Sequence, residues 1–442
     1  MVIRPVLILV LLVGATSLLP AQSETDLRGA GSAAGESGRG GPAYVIRNVR
    51  VFDGETVVER RTVVIRDGKI AAVSGAAIAV PAWAQEVAGE GRTLLPGLMD
   101  AHVHLPAFGA AGALQQMLAF GVTTGVVMGA VPLAVPRQKE TEATDAPDVA
   151  AILTAGTVAT APGGHPLQMD GGAPAAAGSY PTLTAPGEAD AWVAARVSEG
   201  SDFIKIIYDD TSDAYARTLP TLDEATVAAL VTAAHQRRRL AVAHIGNERF
   251  ARGAIAAGVD GLVHLFVGPA VSPDFGTMAA SRGVFVIPTL SVLYSACGRP
   301  DGPSFLKEAE TMKYVKPQFR GLLEMAPADS KVSCDAAPQA IRQLFAAKVP
   351  VLAGTDAPAP GLTYGASLHK ELEHLVNAGL TPTAALAAAT SAIATAFRMA
   401  DRGRIQTRLR ADLLLVDGDP SKQIRDTRNI VAIWKKGVQA SR

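Results

Sequence analysis

The sequence predicts an α/β fold: a TIM-like (β/α)8 barrel with a small β-sandwich domain formed from both chain ends. Three observations carry this expectation. Eight strand-like runs alternate with helix-patterned stretches between residues 98 and 355, and eight parallel strands close such a barrel. Short strand-and-turn segments flank that region on both sides. Six residues, His102, His104, Lys205, His244, His264 and Asp356, each fall at or just past the end of a strand-like run, where the functional side chains of a barrel converge.

The chain begins with Arg4, an apolar run from Val6 to Leu19, and the stretch Pro20-Ala21-Gln22-Ser23. This reads as a cleavable signal peptide over residues 1–21 and predicts a secreted or periplasmic protein. Gly14, Thr16 and Ser17 interrupt the run, which falls short of the ~20 apolar residues of a spanning helix, so no stable membrane span is expected. No cysteine follows it to carry a lipid. Residues 22–42 are rich in Gly, Ser and Ala without hydrophobic periodicity and read as a flexible linker.

Residues 44–51, 62–65 and 69–73 read as strands divided by Asp53-Gly54 and Asp67-Gly68 turns. The same style returns at 411–416, Asp417-Gly418 and 430–434. Residues 43–96 and 403–442 are therefore assigned to the sandwich, and 97–402 to the barrel. The barrel strands are placed at 98–103, 122–128, 148–155, 202–208, 240–245, 261–266, 284–290 and 349–355. Thr221-Leu222-Asp223-Glu224 reads as a capping box, and Thr381-Pro382 as an N-cap followed by proline at the first helical position. The connection 156–187, rich in Gly, Pro and Ala, predicts an adaptable lid over the site.

With 41 basic and 41 acidic residues the formal net charge is zero, and no basic stripe suggests nucleic acid or a polybasic membrane contact. Arg237-Arg238-Arg239 reads as a solvated helix end. The two cysteines, Cys297 and Cys334, either form a disulfide in an oxidising compartment or stay as two thiols without a catalytic task, since sequence does not report their separation.

The chemistry sits in the motifs P-G-L-M-D-A-H-V-H, D-F-I-K-I, V-A-H-I, G-L-V-H-L and L-A-G-T-D-A. Strand alternation puts His102 and His104 on one face, within reach of one ion. A lone His-x-His is a weak signal, but these five motifs in this order resemble the metal-dependent amidohydrolase superfamily, in its imidazolonepropionase-like and Xaa-Pro dipeptidase-like branch. The resemblance covers residues 43 to 438. It implies a first divalent metal ion on His102, His104 and Asp356, a second on His244 and His264, and a carboxylated Lys205 bridging the two. Zinc suits the imidazole ligands, and an ordinary lysine ligates nothing while it remains an ammonium ion. The resemblance further implies a bridging hydroxide as nucleophile, with Asp356 passing its proton to the departing nitrogen. Relatives also carry G-x-I-x-x-G-x-x-A-D near the end; here Gly403, Ile405, Ala411 and Asp412 match, but Arg408 stands at the second glycine.

Each assignment has a plainer competitor. A single strand-end histidine such as His264 is more often a hydrogen-bonded core residue than a ligand, and a buried Lys205 could simply pair with Asp209 or Asp210. Two further residues are candidates for substrate contact. His165, in a glycine-rich loop, either swings toward a carbonyl or is an exposed loop residue, and Tyr208 is either an oxyanion donor or barrel packing. His369 and His374 lie on a helical stretch and are not expected to ligate, while His235 fits a helix C-terminus. The expected activity is hydrolysis of a C–N bond in a small amide or dipeptide, with a homo-oligomer left open. A hydrolytic deaminase, or a cyclic amide or lactone hydrolase, is the alternative on the same barrel.

Overall fold

The computed structural model describes residues 42–80, 82–107, 109–169, 180–215, 218–325 and 332–442. The expected signal peptide and nearly all of the linker lie outside the described residues. Among the described residues no helix is long and apolar enough to cross a membrane.

Both chain ends contribute to one eight-stranded mixed sheet. Its strands are β1 (Tyr44–Phe52), β2 (Val57–Arg66), β3 (Lys69–Ser74), β4 (Gln85–Ala88) and β5 (Arg92–Pro96), followed at the other end by three more. The strands of the middle of the chain are β6 (Leu98–Val103), β7 (Val122–Val127), β8 (Ala151–Thr154), β9 (Ile204–Ile207), β10 (Ala241–His244), β11 (Gly261–Val263) and β12 (Phe285–Ile287). The closing strands are β13 (Leu413–Asp417), β14 (Ile430–Lys435) and β15 (Val438–Gln439).

The sheet order is β15-β14-β13-β5-β1-β2-β3, with β4 also on β1. The expected sandwich is thus a single hydrogen-bonded sheet, rolled over its own core. Tyr44 on β1 meets Trp434 on β14 edge-on at 5.7 Å, although two strands separate theirs in the sheet. The β3 edge bonds to the segment leading into β13 through Ile70 N–H to Leu409 O and Arg408 N–H to Ile70 O. Alternation explains the core: Ile46, Val63, Ile65, Leu94, Leu413, Leu415 and Trp434 point inward together. Arg408 adopts φ 76°, a left-handed conformation that its side chain disfavours.

The middle of the chain alternates strand and helix, and all its paired strands are parallel. Regular pairing produces two sheets, β6-β7-β8 and β9-β10-β11-β12. Parallel bridges at Ala159/Ile206, Val286/Val351 and Val103/Ala357 link their neighbouring edges. The eighth expected strand, 349–355, forms no regular ladder but is held between its neighbours by Val286 N–H to Pro350 O and Leu352 N–H to Val286 O on one side and Ala101 N–H to Ala353 O on the other. Gly354 accounts for part of its close approach: a Cβ there would lie 3.0 Å from His102 N and 2.6 Å from the Ile287 side chain.

The helix Glu224–Gln236 starts at Asp223, whose side chain accepts from Thr226 N–H. Thr221 is not the cap, because its hydroxyl instead accepts from Asp209 N–H. Thr381 caps the helix Pro382–Ala388 as expected. Cys297 and Cys334 form a disulfide with Cα atoms 6.2 Å apart, which decides between the two readings of these residues.

Candidate metal centre

The side chains of His102, His104 and Asp356 converge. His102 Nε2 lies 3.1 Å from His104 Nε2, and the two nitrogens lie 3.1 and 3.2 Å from the same Asp356 oxygen, Oδ1. Hydrogens on two neutral imidazoles cannot satisfy all three contacts at once. A tetrahedral ion with bonds of ~2.0–2.1 Å has ligand-to-ligand edges of ~3.3 Å, so the triangle fits one divalent cation. Among the described residues this is the one cluster of three His, Cys, Asp or Glu ligand atoms within 4.8 Å of one another.

Local backbone aims these groups. Asp356 follows the eighth strand segment at φ 64°, and its N–H donates to His102 O at 2.8 Å. Beneath them, the wholly buried Asp100 accepts from the N–H groups of His102 and Thr355 at 3.1 and 3.0 Å and from the Thr355 hydroxyl at 2.7 Å. Burial pushes the Asp100 carboxyl up to about 7 against those donors. Tyr364 donates to His104 O at 2.8 Å. Burial holds His102 down to about 3, with Asp356 opposing, so the imidazole is neutral, the form that ligates metal. Burial pushes the Asp356 carboxyl up, but His102 and His104 outweigh it and hold it well below the usual range.

His264 lies between the two groups, with ring centroids 4.9 Å from His102 and 4.5 Å from His244. It turns off β11 at φ 73°, and its Nδ1 is 2.7 Å from Thr289 Oγ1. His244 ends β10 with Nε2 3.5 Å from Asp209 Oδ2, which leaves Nδ1 as its other ligating atom. No third His or carboxylate joins this pair to form a ligand cluster among the described residues. An ion here would need a further ligand, and Lys205 is the candidate. Lys205 is buried on β9, and its amine is pushed down to about 7 by burial, with Asp356 opposing. The plainer pairings are taken up elsewhere, since Asp209 faces His244 and Asp210 pairs with Arg249.

His165 lies beside His244. Its ring centroid is 4.8 Å from that of His244, Gln168 Nε2 donates to its Nδ1 at 2.8 Å, and Thr160 Oγ1 donates to its carbonyl. Burial, then His244, hold its pKa down to about 3. The connection carrying it is less loose than the expected lid. Ala159 pairs with Ile206, and Leu183 N–H returns to Thr160 O; residues 170–179 of that connection lie outside the described residues.

Tyr208 is a correction. Its hydroxyl points to Glu224 Oε1 at 3.3 Å and its ring packs edge-on against Phe250 at 4.8 Å, on the helix side of β9. Strand parity explains this, because Lys205 and Tyr208 are an odd number of residues apart and face opposite ways. His369 bonds to Thr427 and Phe120, and His374 to Asp301, so neither joins the centre. His235 bonds to Asp260 at 2.8 Å.

Asp100, Thr289 and Glu371 are not singled out by the sequence, and Asp209 is read there only as a partner for Lys205. Asp100 had a signal, two residues before His102 and on the same strand face. Glu371 had one too, standing in the apolar stripe of Leu368, Leu372 and Leu375.

The amidohydrolase family matches residues 93–440. Among solved structures, the chain is similar to a Xaa-Pro dipeptidase with bound methionine in the active site, at 23% identity and TM-score 0.70, covering 90% of this chain and 99% of that one. It is similar to molinate hydrolase at 20% identity and TM-score 0.71, covering 90% and 95%. Phenylurea hydrolase B matches at 21% and 0.70, covering 90% and 96%. At these identities the likeness is one of fold. No curated protein matches.

Proposed function

Because the chain belongs to the amidohydrolase family, hydrolases acting on carbon–nitrogen bonds, we propose that it cleaves the amide bond of a dipeptide or N-acyl amino acid at a two-ion centre. The observation that carries this reading is the triangle of His102, His104 and Asp356 beside a buried Lys205 whose amine is unprotonated in part near neutral pH. An unprotonated amine is what carbon dioxide adds to, and the carbamate would give His244 and His264 their missing partner. Bound divalent ions, zinc by the imidazole-rich donor set, supply an acidified water and an electrophile for the carbonyl oxygen. Asp356, held ionised, takes the proton from the attacking water and returns it to the leaving nitrogen. His165, neutral and with Nδ1 receiving Gln168, presents Nε2–H as a donor to a substrate oxygen.

The same reading takes the two parallel sheets and their linking bridges as one eight-stranded barrel, with the ligands at its C-terminal mouth. The disulfide supports export, since such bonds persist in oxidising compartments.

Metal analysis of the purified protein tests the proposal. Two divalent ions per chain are expected, and Lys205→Ala should lose one or both together with amide hydrolysis. Full activity with one ion per chain would overturn the two-ion centre.

A further inference from the structure

Behind His264 runs a chain of buried contacts that no sequence motif includes and the proposed chemistry leaves unused. Thr289, bonded to His264 Nδ1, is wholly buried and sits at φ 49°, ψ 50°. That left-handed conformation costs a β-branched residue on the order of 1–3 kcal/mol, so its surroundings must hold it. The hold comes from the next two residues. The N–H groups of Leu290 and Ser291 both donate to the Glu371 carboxylate, at 2.9 and 2.7 Å.

Glu371 is wholly buried on the helix Ala366–Asn377. A carboxylate there is costly: burial pushes it up to about 7, against His374 and the two N–H donors. The far end of the Leu290–Ala296 helix is tied as well, by the Cys297–Cys334 disulfide and by the Ser295 hydroxyl donating to Pro360 O at 2.5 Å. The segment carrying Thr289 is therefore anchored at both ends.

We propose that Glu371 and Thr289 are positioning residues for the second ion: Glu371 fixes the start of the Leu290–Ala296 helix, and this keeps the Thr289 hydroxyl in place to accept from His264 Nδ1–H. A neutral imidazole carries one N–H, so donation from Nδ1 puts the lone pair on Nε2 and locks the ring's direction. The inference rests on the two-ion reading.

Titration of metal-stripped protein with Zn(II), followed by calorimetry, reads the two positions as two binding steps. Thr289→Val keeps the branching and removes the hydroxyl; it should weaken one step by ~10–100-fold and leave the other unchanged. Thr289→Ser should restore the wild-type titration. Glu371→Gln, which touches neither His264 nor metal, should reproduce the selective loss. A Thr289→Val protein that binds both ions like the wild type overturns the proposal. So does a Glu371→Gln protein in which both steps weaken equally while Tm falls, because that is a merely structural role. A wild type that binds a single Zn(II) would instead sink the two-ion reading itself.

Discussion

Replacing Lys205 with methionine should stabilise the metal-free protein, and the effect should depend on pH in a defined direction. Lys205 is buried, and its amine is pushed down to about 7 chiefly by removal from water, with Asp356 opposing. In the unfolded chain it titrates near ~10.4. The folded value lies below the unfolded one, so between about pH 7 and pH 10 the unfolded chain binds more protons, and wild-type stability rises with pH across that window. A gap of roughly 3 pKa units at ~1.4 kcal/mol each corresponds to roughly 4–5 kcal/mol of destabilisation, fully present below about pH 7 and absent above about pH 10. Methionine fills similar volume without the charge. Urea unfolding in chelator and carbon dioxide-free buffer should therefore find Lys205→Met more stable than wild type by about 4 kcal/mol near pH 6.5 and close to it near pH 10. A metal-free variant no more stable than wild type at the lower pH would mean that the amine is satisfied in the fold. Lys205 would then not be a reactive, uncompensated amine.

Asp356→Asn keeps an oxygen for metal but cannot carry the proton, so amide hydrolysis should fall by roughly 10²–10⁴ while metal content stays. Activity on a matched ester should fall less, and equal losses on both substrates would remove Asp356 from proton transfer. Opening the disulfide with Cys297→Ser and Cys334→Ser releases a 37-residue separation and should lower stability by up to about 4 kcal/mol; an unchanged urea midpoint would refute that contribution.

The candidate ligands were legible because they stand at the ends of parallel strands, where short runs such as D-A-H-V-H and G-L-V-H-L mark themselves by alternation. His165 was legible as a candidate only, since a loop's path depends on contacts such as Ala159 with Ile206 that no local pattern encodes. Of the two readings of Tyr208, packing holds, and strand parity from Lys205 already turned it away from the centre. The capping box failed because Thr221 had a distant claimant, Asp209 N–H. The sandwich became one rolled sheet because register between the chain ends is a long-range property. Thr289 left no trace at all, as its meaning lies in His264 and Glu371, both far along the chain.

The sheet order has a consequence for how the molecule comes into being. β13 lies between β5 and β14, and β5 runs through Gly97 alone into β6, the strand that carries His102. Until β13 pairs with it, β5 has one open apolar edge, a template for wrong pairing. His102 stands on, and His104 just past, the strand that continues from that unfinished edge. Pairings between residues more than 300 positions apart, such as Leu95 with Leu414, carry a high loop-closure cost and slow the covering of that edge.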